Sequence, residues 1–258
     1  LPDFRGAESV AVMLRIFRTL LLIAALAPLM SARAASGSSV KKVSTSRDAW
    51  GHRPGARGFS TVILDAGHGG KDPGATSGIT GQREKNLALD MVERVRRELS
   101  GKVRTVLTRG SDTFVELDDR VRIVDRHDDA VLVSIHFNSG PSSVAGPEVY
   151  YWRVDSYTLA RRIHSALSRV VPEKASRGLV RRRLRLTRNP QHAGVLVECG
   201  YLSHSREAKL IANPEYRTRL AKAIASAILD QRALGDGTLG PLPKPLYEPP
   251  SKSTDKRQ

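Results

Sequence analysis

The stretch TVILDAGHGGKDPGA, Thr61–Ala75, decides how the rest of the chain is read. It starts as an uninterrupted apolar run, the pattern of a strand covered on both faces. It then breaks into glycine, with His68 set among Gly67, Gly69 and Gly70. Such a histidine is either part of a surface turn or a group that something must approach closely, where side-chain bulk would block the way.

Two more apolar runs end in an ionisable residue. AVLVSI, from Ala130, leads to His136, and GVLV, from Gly194, leads to Glu198. In an open α/β sheet, ligands bind beyond the carboxyl ends of the strands. His68, His136 and Glu198 are therefore expected at one edge. A fourth group joins them from a helix. Glu84, Ala88, Met91 and Val95 recur at helical spacing, so Glu84 lies on the inward face of a first turn. An inward carboxylate needs a partner, because an unpaired buried charge is costly. Two histidines and a carboxylate form a recurring zinc ligand set, and a second carboxylate supplies the base that hydrolysis needs. Spacing alone does not say which glutamate binds metal and which moves protons.

Around this edge the pattern predicts an α/β fold: a single domain with a largely parallel or mixed central sheet of about six strands flanked by helices. The strand candidates are Thr61–Leu64, Val103–Thr108, Ala130–Ile135, Glu148–Trp152, Leu184–Thr187 and Gly194–Val197. Helical spacing marks the segment after Glu84, one from Phe114 through Val124, one from Leu159 through Val170, and a last one from Pro214, a residue tolerated in a first turn. Ser205 is the expected cap of a short helix before Ile211. His52, His127, His164, His192 and His204 fall outside the site pattern, and His192 alone precedes a strand that leads to it.

The 258 residues are 40% hydrophobic and carry a formal charge of +16. That suits one substantial core and an anionic partner. From Met13 the chain reads as a secretory signal: Arg15 and Arg18, an apolar Leu20–Met30 too short to span a bilayer comfortably at roughly 20 residues, and a small-x-small site at Ala32-Arg33-Ala34. Residues 1–34 are expected to be an N-terminal extension and signal peptide, 35–58 a flexible basic linker, 59–234 the catalytic domain, and 235–258 a disordered Pro/Gly-rich tail. The expected location is the periplasm or cell envelope. Cys199, the single cysteine, reads as a buried thiol. Aromatics at 5% and a leader ahead of the domain argue against a nucleic-acid partner.

Four segments in order, VILDAGHGGKDPGA, REKNLALDM, SIHFNS and GVLVECGYLSHSREAKLI, resemble the zinc-dependent N-acetylmuramoyl-L-alanine amidases that cleave bacterial peptidoglycan. The resemblance implies one Zn2+ held by His68, Glu84 and His136, with Glu198 as the catalytic acid/base. It implies hydrolysis of the amide between the lactyl group of N-acetylmuramic acid and L-alanine, for wall remodelling or daughter-cell separation. The glycines about His68 would then let the backbone fold tightly beside the metal and leave space for a glycan strand. Some family members insert a helix that covers the zinc until a partner removes it. Ser139–Val197 leaves little room for one, so a monomer with a site open without an activator is expected. Relatives often have Asn where this chain has His204. The basic run RRRLRLTR, Arg181–Arg188, is a candidate edge for anionic envelope polymers. Two other readings share the donor set: a zinc peptidase or deacetylase on another envelope amide, and a non-catalytic peptidoglycan-binding module.

Overall fold

The computed structural model describes residues 58–172, 178–188 and 190–236. The expected leader, nearly all of the linker, His52 and all but two residues of the tail lie outside the described residues. The elements are β1 (Thr61–Ala66), α1 (Glu84–Leu99), β2 (Arg104–Leu107), α2 (Leu117–Asp125), β3 (Ala130–Asn138), β4 (Glu148–Tyr151), a 3-10 turn (Val154–Ser156), α3 (Tyr157–Ser168), β5 (Leu179–Arg181), the single turn α4 (Arg185–Arg188), β6 (Gly194–Tyr201), α5 (Ser205–Ala212) and α6 (Pro214–Leu234).

The strands form one six-stranded sheet in the order β2-β1-β3-β6-β4-β5. Neighbours run parallel except β4, which is antiparallel to β6. The expected mixed sheet is thus present. Its central strands are buried along their length because helices lie on both faces. Val62 and Leu64 pack with Ala88, Met91 and Val95 of α1 and with Leu220 and Ile224 of α6. Ile63 points the other way and packs with Val124 of α2, Leu132 and Leu186. This is the period-two alternation of a strand, with both sides apolar. Full burial of each such side chain is worth about 1.5–3 kcal/mol. Cys199 is a free thiol inside the larger core cluster. Among the described residues no helix is long and apolar enough to cross a membrane.

Two local expectations are corrected. Leu184–Thr187 is not a strand. Its alternating Leu-Arg-Leu-Thr also fits one helical turn, and the backbone N–H groups of Thr187 and Arg188 both close onto Leu184 O, at 3.2 and 3.1 Å. Four residues are too few for periodicity to choose between the two. The edge strand is Leu179–Arg181, which pairs with Val149–Tyr151. The cap of α5 is His204, not Ser205: its Nδ1 accepts from the N–H of Glu207 at 3.3 Å. Asn213 caps α6 in the same way, accepting from Glu215 N–H at 2.8 Å, with Pro214 in the first turn.

Candidate metal centre

β1 is buried throughout, and the chain must turn sharply where it leaves the sheet. His68 makes that turn with a φ of 60°, the left-handed region that non-glycine residues visit sparingly. Two buried arginines hold the strained loop. Arg109 donates to the carbonyls of Ala66 (2.9 Å), Gly67 (2.7 Å) and Lys85 (2.8 Å). Arg120 donates to those of Ala66 (2.7 Å) and His68 (2.8 Å), and to Asp65 Oδ1 (2.6 Å). Lys85 adds a bond to Gly70 O and an ion pair with Asp112.

The loop returns to the head of α1. Glu84 N–H donates to Ala75 O at 2.8 Å, and Glu84 Oε2 accepts from Ala75 N–H at 2.9 Å. That leaves Oε1 facing inward. It lies 2.9 Å from His68 Nε2 and 2.8 Å from His136 Nδ1. His136 is presented by β3, beside β1, and its ring stands edge-on to that of His68 with centroids 5.0 Å apart. One ligand atom from each of His68, Glu84 and His136 lies within 4.8 Å of the others.

Electrostatics agree with a site built for a cation. Burial pushes the Glu84 carboxyl up, but the two imidazoles outweigh it and hold the group well below its usual range. For His68, burial opposes the charged form, yet Glu84 and Asp72 at its two nitrogens raise its pKa. Asp72 Oδ2 accepts from His68 Nδ1 at 2.8 Å, which leaves Nε2 to face the shared Glu84 oxygen. Two imidazole nitrogens and a carboxylate oxygen converging on one point are the donor set that zinc takes. The three residues fit the group.

Glu198 joins from β6. It is the register partner of His136 on one side and of Glu148 on β4 on the other, so the three side chains form a row across the sheet. Glu198 Oε2 is buried with no hydrogen-bond partner among the described residues. Its pKa is raised well above the usual carboxylate value, first by burial, then by the charges of Glu84 and Glu148. A cleft of about 1010 Å³ opens over the row and is lined by His68, Glu84, His136 and Glu198 together.

The sequence profile of the N-acetylmuramoyl-L-alanine amidase family matches residues 62–230. The chain belongs to that family. It is 29% identical over 186 residues to the germination-specific N-acetylmuramoyl-L-alanine amidase of Bacillus subtilis, spanning 65% of this chain and 78% of that one. Among solved structures it resembles the catalytic domain of the amidase CwlV from Bacillus (Paenibacillus) polymyxa var. colistinus, with 35% identity and a TM-score of 0.63 over 67% of this chain and 97% of that chain. It also resembles the amidase AmiC2 of Nostoc punctiforme, with 37% identity and a TM-score of 0.63 over 68% and 98%.

Within this amidase domain all four sequence-derived candidates border one cleft. The other described histidines stay apart. His192 lies ahead of β6, beside Phe59 and Asp129, at the strand end away from Glu198. His164 is within α3 and His127 follows α2.

One detail differs from expectation. The glycines do not simply clear space for substrate. A Cβ on Gly67 would sit 2.2 Å from His136 Cε1, one on Gly69 2.1 Å from Thr113 O, and one on Gly70 2.7 Å from Phe114 N. The protein's own groups fill those positions. The His68 ring is held by Asp72 and not by Asp65, although Asp65 leads to it along β1. Asp65 is held by Arg120, Thr108 and Ser134. Asp72, Arg109, Arg120 and Glu148 went unnoticed in the sequence. Only Arg120 left a trace there: three residues past Leu117, it falls on the apolar stripe of α2.

Proposed function

We propose that this chain is an exported zinc amidase that hydrolyses the amide between the lactyl group of N-acetylmuramic acid and L-alanine in peptidoglycan. His68, Glu84 and His136 hold the metal, and Glu198 is the acid/base. The observation that carries the reading is the row from His136 to Glu198: a metal-ligand cluster with an unpartnered carboxylate oxygen beside it in one open cleft. Membership of an amidase family supports the substrate.

Each residue then has a task. Asp72 keeps the proton of His68 on Nδ1, so that Nε2 presents its lone pair. Ala75 N–H occupies Glu84 Oε2 and orients Oε1 toward both histidines. A bound Zn2+ ion would supply Lewis acidity, making water acidic enough to ionise near neutral pH and drawing electron density from an amide carbonyl. Glu198, with a buried oxygen facing the cleft beside His136, takes a proton from the attacking water and returns it to the alanine nitrogen. The buried Glu148, fixed by the hydroxyls of Tyr150 and Tyr201 at 2.6 Å each, keeps a like charge behind Glu198.

Among the described residues none of α3 or α4 lines the cleft, and the proposed site needs no activator to uncover it. A peptidoglycan digest with and without chelator tests the proposal. New N-terminal L-alanine, lost on chelation and restored by Zn2+, is the expected result. Cleavage elsewhere in the stem or removal of an acetyl group would overturn it.

A further inference from the structure

Arg182 borders the cleft but has no task in the chemistry above. It follows β5, and its backbone N–H donates to Tyr151 O at 2.9 Å. Its side chain lines the cleft with Tyr150, Tyr201 and Glu198. Its Nε is buried and has no hydrogen-bond partner among the described residues. Other arginines nearby are engaged: Arg181 donates to Trp152 O and lies over the Trp152 ring, Arg153 pairs with Asp155, and Arg185 pairs with Asp118. The closest acidic group on the adjoining strand, Glu148, already receives two tyrosine hydroxyls. A shielded guanidinium donor without an acceptor is costly, and a planar fork of donors matches a carboxylate.

We propose that Arg182 is a specificity residue that binds a free carboxylate of the stem peptide beyond L-alanine. The proposal rests on the amidase reading, which places the scissile bond beside Glu198. β5 lies two strands from β6, roughly 10 Å across the sheet, and the Arg182 backbone is level with Trp152 and Gly194, roughly 13 Å from Glu198 along the strands, so its side chain reaches back past Tyr150 into the cleft. An extended peptide advances about 3.3 Å per residue, so with the length of the arginine side chain the carboxylates of the second and third stem residues are the candidates. The sugars flanking the bond are neutral, so the peptide side supplies the anion.

Soluble muramoyl-peptides carrying a carboxylate or a carboxamide at the second residue, and separately at the third, distinguish the two sources. Wild type is expected to show a roughly 10–100-fold higher kcat/KM for the acidic form at one of these positions. Arg182→Met is expected to collapse that ratio to near unity, chiefly through KM. Arg182→Lys, which keeps the charge and loses the fork, is expected to retain part of it. Equal rates of wild type on all acidic and amidated substrates would overturn the proposal, whether or not the variants fold. So would a preference that survives in Arg182→Met, or an equal loss on both forms. Failure of wild type to cleave any of these substrates would instead overturn the amidase reading beneath it.

Discussion

Gly67 lies so close beneath the ring of His136 that an added Cβ would sit 2.2 Å from Cε1. The smallest residue of one strand end is thus the floor on which the histidine of the next strand rests. Gly67→Ala is expected to push His136 off its position, costing about 1–3 kcal/mol of stability and lowering metal stoichiometry. Gly78→Ala, where a Cβ meets nothing within 4 Å, is the control. Thermal unfolding and metal analysis of both variants check this; equal effects would remove the steric argument.

The two glutamates should separate by assay. Glu198→Gln is expected to lower kcat by roughly 10²–10⁴-fold while bound zinc stays near wild type. Glu84→Gln is expected to lose the metal. Comparable zinc loss in the Glu198 variant would exchange their roles.

The proposed role of Asp72 is to act through His68. Asp72→Asn is expected to weaken zinc binding by roughly 10–100-fold, read by competition with a chromogenic chelator. Activity at saturating zinc should recover in part. An unchanged affinity would mean that the 2.8 Å contact does not orient the ring.

Asp65 and Arg120 form a buried pair at 2.6 Å beneath the His68 loop. Burial alone would raise the Asp65 pKa, but Arg120, Ser134 and Thr108 hold it below the usual value. Its contribution to stability is therefore present above the unfolded-state pKa of about 3.9 and is lost as pH falls through the lower folded value. Urea unfolding across pH 2–6 should show stability falling below about pH 4, with a shallower fall in Asp65→Asn. Arg120→Met, which leaves the carboxylate unpaired, is expected to cost about 3–5 kcal/mol near neutral pH.

How much of this was legible in the sequence depended on how local each signal was. β1, β3 and β6 were readable because continuous apolar runs are rare outside strands covered on both faces. Glu84 was readable because its stripe continues through Ala88, Met91 and Val95, all fully buried. Leu184–Thr187 was misread because four residues do not fix a period, and its closing bonds run within the segment itself. Arg109 and Arg120 hold carbonyls of the His68 loop that lie 42 to 54 positions away along the chain, and no spacing rule reaches that far. Asp72 was hidden for a different reason. It stands four residues from His68, but in a loop whose path only the surrounding bonds define.

His68, Glu84 and His136 all come from the portion of the chain that ends with β3, while Glu148, Arg182 and Glu198 come from β4, the turn after β5, and β6. On the proposed roles, the cation cradle and the proton-moving, peptide-facing residues thus come from successive portions of one chain and meet at the seam between β3 and β6. If those roles hold, exchanging the later portion between relatives is expected to change the stem preference while leaving the metal ligands in place.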